Sequence, residues 1–141
     1  ALHDRTDPWT LIEPGGGPVL GDEAFEAGAI EAATEAELAA LHALGHLGEA
    51  ADSDVLRSRC DEAVRWHVSE LQPDNGTGHP WAIHVFIRAA GRLGPSLQAE
   101  SVMHAESLLH ASMVMAGRPD RFSACLLLDS ARALAQRETG G

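Results

Sequence analysis

The stretch Glu70-Leu71-Gln72-Pro73-Asp74-Asn75-Gly76-Thr77-Gly78-His79-Pro80-Trp81 constrains this chain more than any other. Pro73 cannot continue a helix, because its ring fixes φ and removes a backbone donor. Gly76 and Gly78 open the positive-φ region to a tight turn. Pro80 suits the first turn of a new helix. Strong helical patterns lie on both sides, so the stretch predicts a helix–turn–helix hairpin.

The rest of the chain is punctuated in the same way. Asp22 reads as the N-cap of a short helix to about residue 32, with Glu23 and Glu26 where negative charge suits the helix dipole. Thr34-Glu35-Ala36-Glu37 has the form of a capping box and predicts a helix start. That helix runs to about residue 51 on the stripe Leu38, Leu41, Leu44 and Leu47. Asp52 or Ser53 caps a helix over about 54–71, in which Val55, Leu56, Cys60, Val64, Val68 and Leu71 recur at helical spacing. A helix over about 80–93 stops at Gly94-Pro95. Ser96 caps a long helix to about residue 116, and Gly117 is its C′ residue. Pro119-Asp120 starts the last helix, about 121–136. No β alternation competes. The predicted fold class is all-α: five main helices plus one short N-terminal helix, arranged as antiparallel hairpins because the links are short. Residues 1–21 read as an irregular N-terminal arm anchored by Trp9, Leu11 and Ile12, residues 22–138 as a single helical domain, and residues 139–141 as a frayed tail. Gly15-Gly16-Gly17 lacks the Lys-Ser/Thr of a phosphate loop.

Composition narrows the function classes. A chain of 141 residues with 45% apolar content buries a core without metal or disulfide. Its ten positive charges are all arginine, its net charge is −11, and the arginines are scattered. Nucleic acid and anionic membrane surfaces both need a basic face, so neither is an expected partner. No apolar run reaches the length of a membrane span. The expected compartment is the cytoplasm; the start at Ala1 also fits export with a cleaved signal, methionine trimming or truncation. Cys60 and Cys125 fall in small, apolar stretches and read as two buried thiols. A disulfide between them is open only to an exported chain. There is no C-x-x-C.

The run Ala63-Val64-Arg65-Trp66-His67-Val68-Ser69-Glu70-Leu71-Gln72-Pro73-Asp74-Asn75-Gly76, followed by His79-Pro80-Trp81-Ala82, resembles the repeat of α/α-toroid proteins, the terpenoid-cyclase and prenyltransferase-like helical barrels. The likeness covers about residues 60–93. It implies curved antiparallel hairpins and a partial α/α toroid. The chain is too short to close a ring and lacks the Asp-rich acid motif and the diphosphate-binding arginine cluster, so cyclase or transferase activity is not implied.

Eight histidines form three constellations. His42 and His46, at i and i+4, share a helix face and have the spacing of two metal ligands, with Glu49 as a third group. The chain has no zincin motif, since Ala43 follows His42. Glu100–His104 and Glu106–His110 are two more i, i+4 pairs, on different faces of one helix and without the Glu-x-x-His spacing of di-iron bundles. Trp66, His67, His79, Trp81 and His84 gather around the 72–78 turn and are candidates to line a small-ligand pocket. Met103, Met113 and Met115 read as core gap-fillers.

No catalytic signature stands out. The leading expectation is a non-enzymatic helical interaction or scaffold module that self-associates or docks on a protein partner. The alternative is a histidine-based protein that binds a divalent transition metal or a small ligand. The third is a toroid-like enzyme with a site near Trp66 and Trp81.

Overall fold

The computed structural model describes residues 16–21, 25, 30–70, 77–117 and 120–139, with backbone alone at 115 and 116. The described residues form five helices and no strand: α1 (Ile30–Ala50), α2 (Asp54–Glu70), α3 (Ile83–Ala90), α4 (Pro95–Ala116) and α5 (Arg121–Thr139). The all-α expectation holds. The short N-terminal helix, the 1–15 arm and most of the 72–78 turn lie outside the described residues.

The links carry the expected chemistry in some places and not in others. Ser53 Oγ accepts the Leu56 N–H at 3.4 Å and caps α2. Asp120 Oδ1 accepts the Ser123 N–H at 2.7 Å and caps α5. Ser96 does not cap α4: Gly94 is the N-cap and Pro95 sits in the first turn. α3 begins at Ile83 rather than Pro80, because Ala82 takes a left-handed conformation with φ of 58°. Thr34 does not start a helix either. The good helix formers upstream carry α1 back to Ile30, and Thr34 is buried within it. The two acids of the supposed capping box become tertiary anchors. Glu35 accepts the Trp81 indole N–H at 2.8 Å and the Gly78 N–H at 2.6 Å, pinning the 77–82 turn onto α1. Glu37, fully buried, accepts the N–H groups of Val19 and Leu20. From the opposite side Arg59 donates to the carbonyls of Gly17 and Pro18, so a carboxylate and a guanidinium grip one short backbone segment.

α3 is the centre of the fold. It packs against each of the other four helices, and seven of its eight residues are buried. Phe86, Leu38, Leu41, Val64 and Leu108 are the largest apolar side chains lost to solvent. Ser101 Oγ donates to the Phe86 carbonyl at 2.9 Å, fixing α4 against α3 inside the core. Several expected core residues lie outside it: Leu47, Val55, Met103 and Met113 are all more than half exposed. Cys60 is buried and Cys125 is exposed, and both are free thiols. The expected pair of buried cysteines is therefore corrected to one.

Candidate metal centre

The close approach of α1 and α3 has an identifiable cause. Gly45 lies between His42 and His46 on α1, and a Cβ built there would sit 2.5 Å from Val85 Cγ2 and 3.1 Å from His84 Nε2. Glycine in a helix interior costs about 1 kcal/mol relative to alanine. Here it lets α3 come close enough for His84 to join the two α1 histidines. The ring centroids of His42 and His84 are 4.3 Å apart, and those of His46 and His84 are 4.6 Å apart. Donor nitrogens of all three lie within 4.8 Å of one another.

A carboxylate from α5 adjoins two of the three histidines. Asp129 Oδ2 is 3.0 Å from His46 Nε2 and 3.5 Å from His42 Nε2, and the two imidazole nitrogens are 3.2 Å apart. A metal held at about 2.0–2.1 Å from tetrahedral ligands sets those ligands roughly 3.4 Å apart. The three separations bracket that value. His42 and His84 are buried, while the side chain of His46 is 46% exposed and gives the group its opening to solvent.

The electrostatics keep the inner rings neutral. Burial, then the charges of neighbouring groups, pull His84 down from the ordinary 6.5 to about 2. Burial followed by repulsion from His46 lowers His42 to about 4, against the pull of Asp129. Neutral imidazole is the form that ligates a metal. Among the described residues, both ring nitrogens of His84 are buried without a hydrogen-bond partner. Such a group is costly unless something satisfies it. His84 also borders a cavity of about 10 Å³ shared with Cys60 and Arg88, room for one water molecule. Both nitrogens of His67 share this state in the core, so the orphaned ring of His84 is compatible with a metal ligand without by itself requiring one. The Cys60 thiol lining the same cavity is pushed up to about 12 by burial, so it stays protonated.

His42 has a further restraint. Its Nδ1 accepts the Ala82 N–H at 3.1 Å, so the neutral ring carries its proton on Nε2 and presents it to Asp129. A metal at Nε2 moves that proton to Nδ1 and releases the Ala82 N–H, at a cost of about 1 kcal/mol for the hydrogen bond.

The sequence expectations divide. His42 and His46 come together as their spacing requires. Glu49 does not join them: the close group is His42, His46 and His84, and Glu49 is exposed at the rim of the adjoining cavity. The tryptophan–histidine constellation does not form one pocket. Trp66 meets Phe25 and His67. His67 is sealed against Phe86, His104 and Glu37. His79 and Trp81 both stack edge-on against Phe122, and His79 Nδ1 lies 3.1 Å from Ser123 Oγ. Only His84 turns to the metal centre, where Trp81 touches the His42 ring. Neither Glu100–His104 nor Glu106–His110 forms an ion pair among the described residues. Asp129 stands 83 residues from His46, and no local sequence pattern links the two. Compared with known proteins, the chain matches no protein-family model, no curated protein and no solved structure.

Proposed function

We propose that this chain binds a divalent transition metal ion at His42, His46, His84 and Asp129. The observation that carries the reading is the convergence of three imidazoles whose nitrogens lie within 4.8 Å of one another, with the Asp129 carboxylate 3.0 Å from His46 and 3.5 Å from His42. A set of nitrogen and oxygen donors without thiolate favours Zn²⁺ and its first-row neighbours over Cu⁺. The half-exposed His46 supplies the entry path and leaves a coordination position accessible. The test is titration of Zn²⁺ and Co²⁺ into EDTA-treated protein by calorimetry, with the Co²⁺ visible spectrum reporting coordination number. One site per chain, weakened more than about 100-fold in His46→Ala, supports the reading; an outer-shell residue costs only about 10–100-fold. No saturable binding overturns it.

A second reading rests on a different observation. Leu47, Val55, Met103, Met113, Val114, Phe122, Leu128 and Leu134 are exposed to between 48% and 67%. That much exposed apolar side chain favours a helical module that self-associates or docks on a protein. Sedimentation velocity across a concentration series tests it, and a monomer at every concentration removes the self-association form.

A further inference from the structure

Arg88 borders two spaces. On one side is the small cavity it shares with His84. On the other is a groove of about 330 Å³ between α3 and α5, lined among others by Arg88, Arg92, Arg137, Gln136 and Glu49. Three of the chain's ten arginines thus meet at one concave surface, on a protein whose net charge is −11.

The three guanidinium groups are not equivalent. Arg92 is held by Asp61 through contacts of 2.7, 2.9 and 3.2 Å, so its charge is already answered. Among the described residues, Arg88 donates only to the neutral Gln136 Oε1, at 3.3 Å, and its Nη1 is sealed from solvent with no partner. Arg137, exposed on the last turns of α5, has no ion pair among the described residues. Arg88 and Arg137 therefore line one groove without a carboxylate partner among the described residues, and the solvent-sealed Nη1 of Arg88 lies out of reach of a molecule in the groove. Glu49 also lines the groove, and its carboxylate repels an anion placed beside it. The groove's size is that of a small-molecule site.

We propose that this groove binds a small molecule bearing a phosphoryl or carboxylate head. The head sits between Arg88 and Arg137, which suit planar, charge-assisted contacts to such oxygens. A hydroxyl or amino group on the same molecule meets Glu49. The site is adjacent to the metal centre through Arg88 but does not depend on a metal being there.

The experiment is calorimetric titration of EDTA-treated protein, at fixed low ionic strength, with inorganic phosphate and separately with succinate. Working without metal keeps the outcome independent of the metal reading. Saturable one-to-one binding of either anion is expected, weakened about tenfold or more in Arg137→Ala and in Arg88→Gln, and unchanged in Arg65→Ala, an exposed arginine on α2. Arg137 is exposed, so its variant keeps the fold and the test remains decisive if Arg88→Gln does not. Tighter phosphate marks a phosphorylated ligand and tighter succinate a carboxylic acid; either supports the site. No saturable binding of both anions, or equal affinity in Arg137→Ala and the parent protein, overturns it.

Discussion

Two groups of buried histidines lie in this molecule, and they differ in what surrounds them. At one, the nitrogens of His42, His46 and His84 converge, Asp129 meets His42 and His46, and one ring is half exposed. At the other, His67 and His104 lie against Phe86, the His104 ring stacked on it at 4.7 Å with an interplanar angle of 17°. The carboxylate of that second group, Glu37, is already occupied by the N–H groups of Val19 and Leu20, and His67 stands 3.5 Å from it. Imidazole count is the same kind of signal in both places. What separates the two groups is whether lone pairs converge and whether solvent reaches the rings.

The sharpest way to break that comparison is to remove Glu37. Glu37→Ala leaves two backbone donors without an acceptor, one of them buried, and a destabilisation of about 3–5 kcal/mol is expected. Denaturant unfolding measures it. Metal affinity of the folded variant should not change. A variant that unfolds normally but loses metal would move the functional site to the wrong cluster.

Acid comes next in size. Burial, then the proximity of His67, lowers His104 from 6.5 to about 4. The folded ring therefore resists a proton that the unfolded chain accepts. Above pH 6.5 neither state is charged at this ring and its contribution to stability is intact. As pH falls from 6.5 towards 4 only the unfolded state gains the proton, and about 2–3 kcal/mol is lost. His104→Phe keeps an aromatic ring against Phe86 and should flatten that part of the pH profile of unfolding. An unchanged profile would mean that His104 titrates normally in the folded protein.

Gly45→Ala tests the other cluster with a smaller effect. The added methyl meets the Val85 side chain and forces α1 and α3 apart, at a cost of about 1–3 kcal/mol, partly offset by about 1 kcal/mol of helix propensity. The expected signature is a modest loss of stability with a disproportionate loss of metal affinity, because His84 withdraws from His42 and His46. Equal metal affinity in Gly45→Ala and parent would show that His84 is not a ligand.

Much of the helical fold was legible because its signals are local. Helical spacing, Ser53, Asp120, Gly94-Pro95 and Gly117 each act within a turn or two of their own position. The 34–37 box misled because its residues satisfy a local rule while long-range partners, Trp81, Gly78, Val19 and Leu20, compete for the same carboxylates. The apolar stripe misled at Leu47 and Val55 because spacing says which face a residue takes, not how far the neighbouring helix extends to cover it. Half of the candidate centre was readable in the spacing of His42 and His46. The other half depended on the distance between α1, α3 and α5. His84 was readable only as a ligand candidate of a different cluster, and Gly45, a poor helix former between two histidines, is what lets it approach them.

Ala82 offers the finest test of how the centre is held. A left-handed conformation at a residue with a Cβ costs on the order of 1 kcal/mol, and Ala82 has φ of 58° with its N–H aimed at His42 Nδ1. Glycine adopts that conformation without the penalty, so Ala82→Gly should stabilise the metal-free protein by up to about 1 kcal/mol, less what the unfolded chain gains in freedom. Its effect on metal separates two roles for the turn. Metal at His42 Nε2 requires the Ala82 N–H to let go of Nδ1, and glycine eases that rearrangement, so affinity should rise slightly or hold. If Ala82→Gly instead stabilised the fold and weakened metal binding, the strained turn would be what positions His42. The Ala82–His42 bond would then belong to the loaded state as well as the free one, Nε2 would keep its proton, and His42 would support the site without ligating the ion.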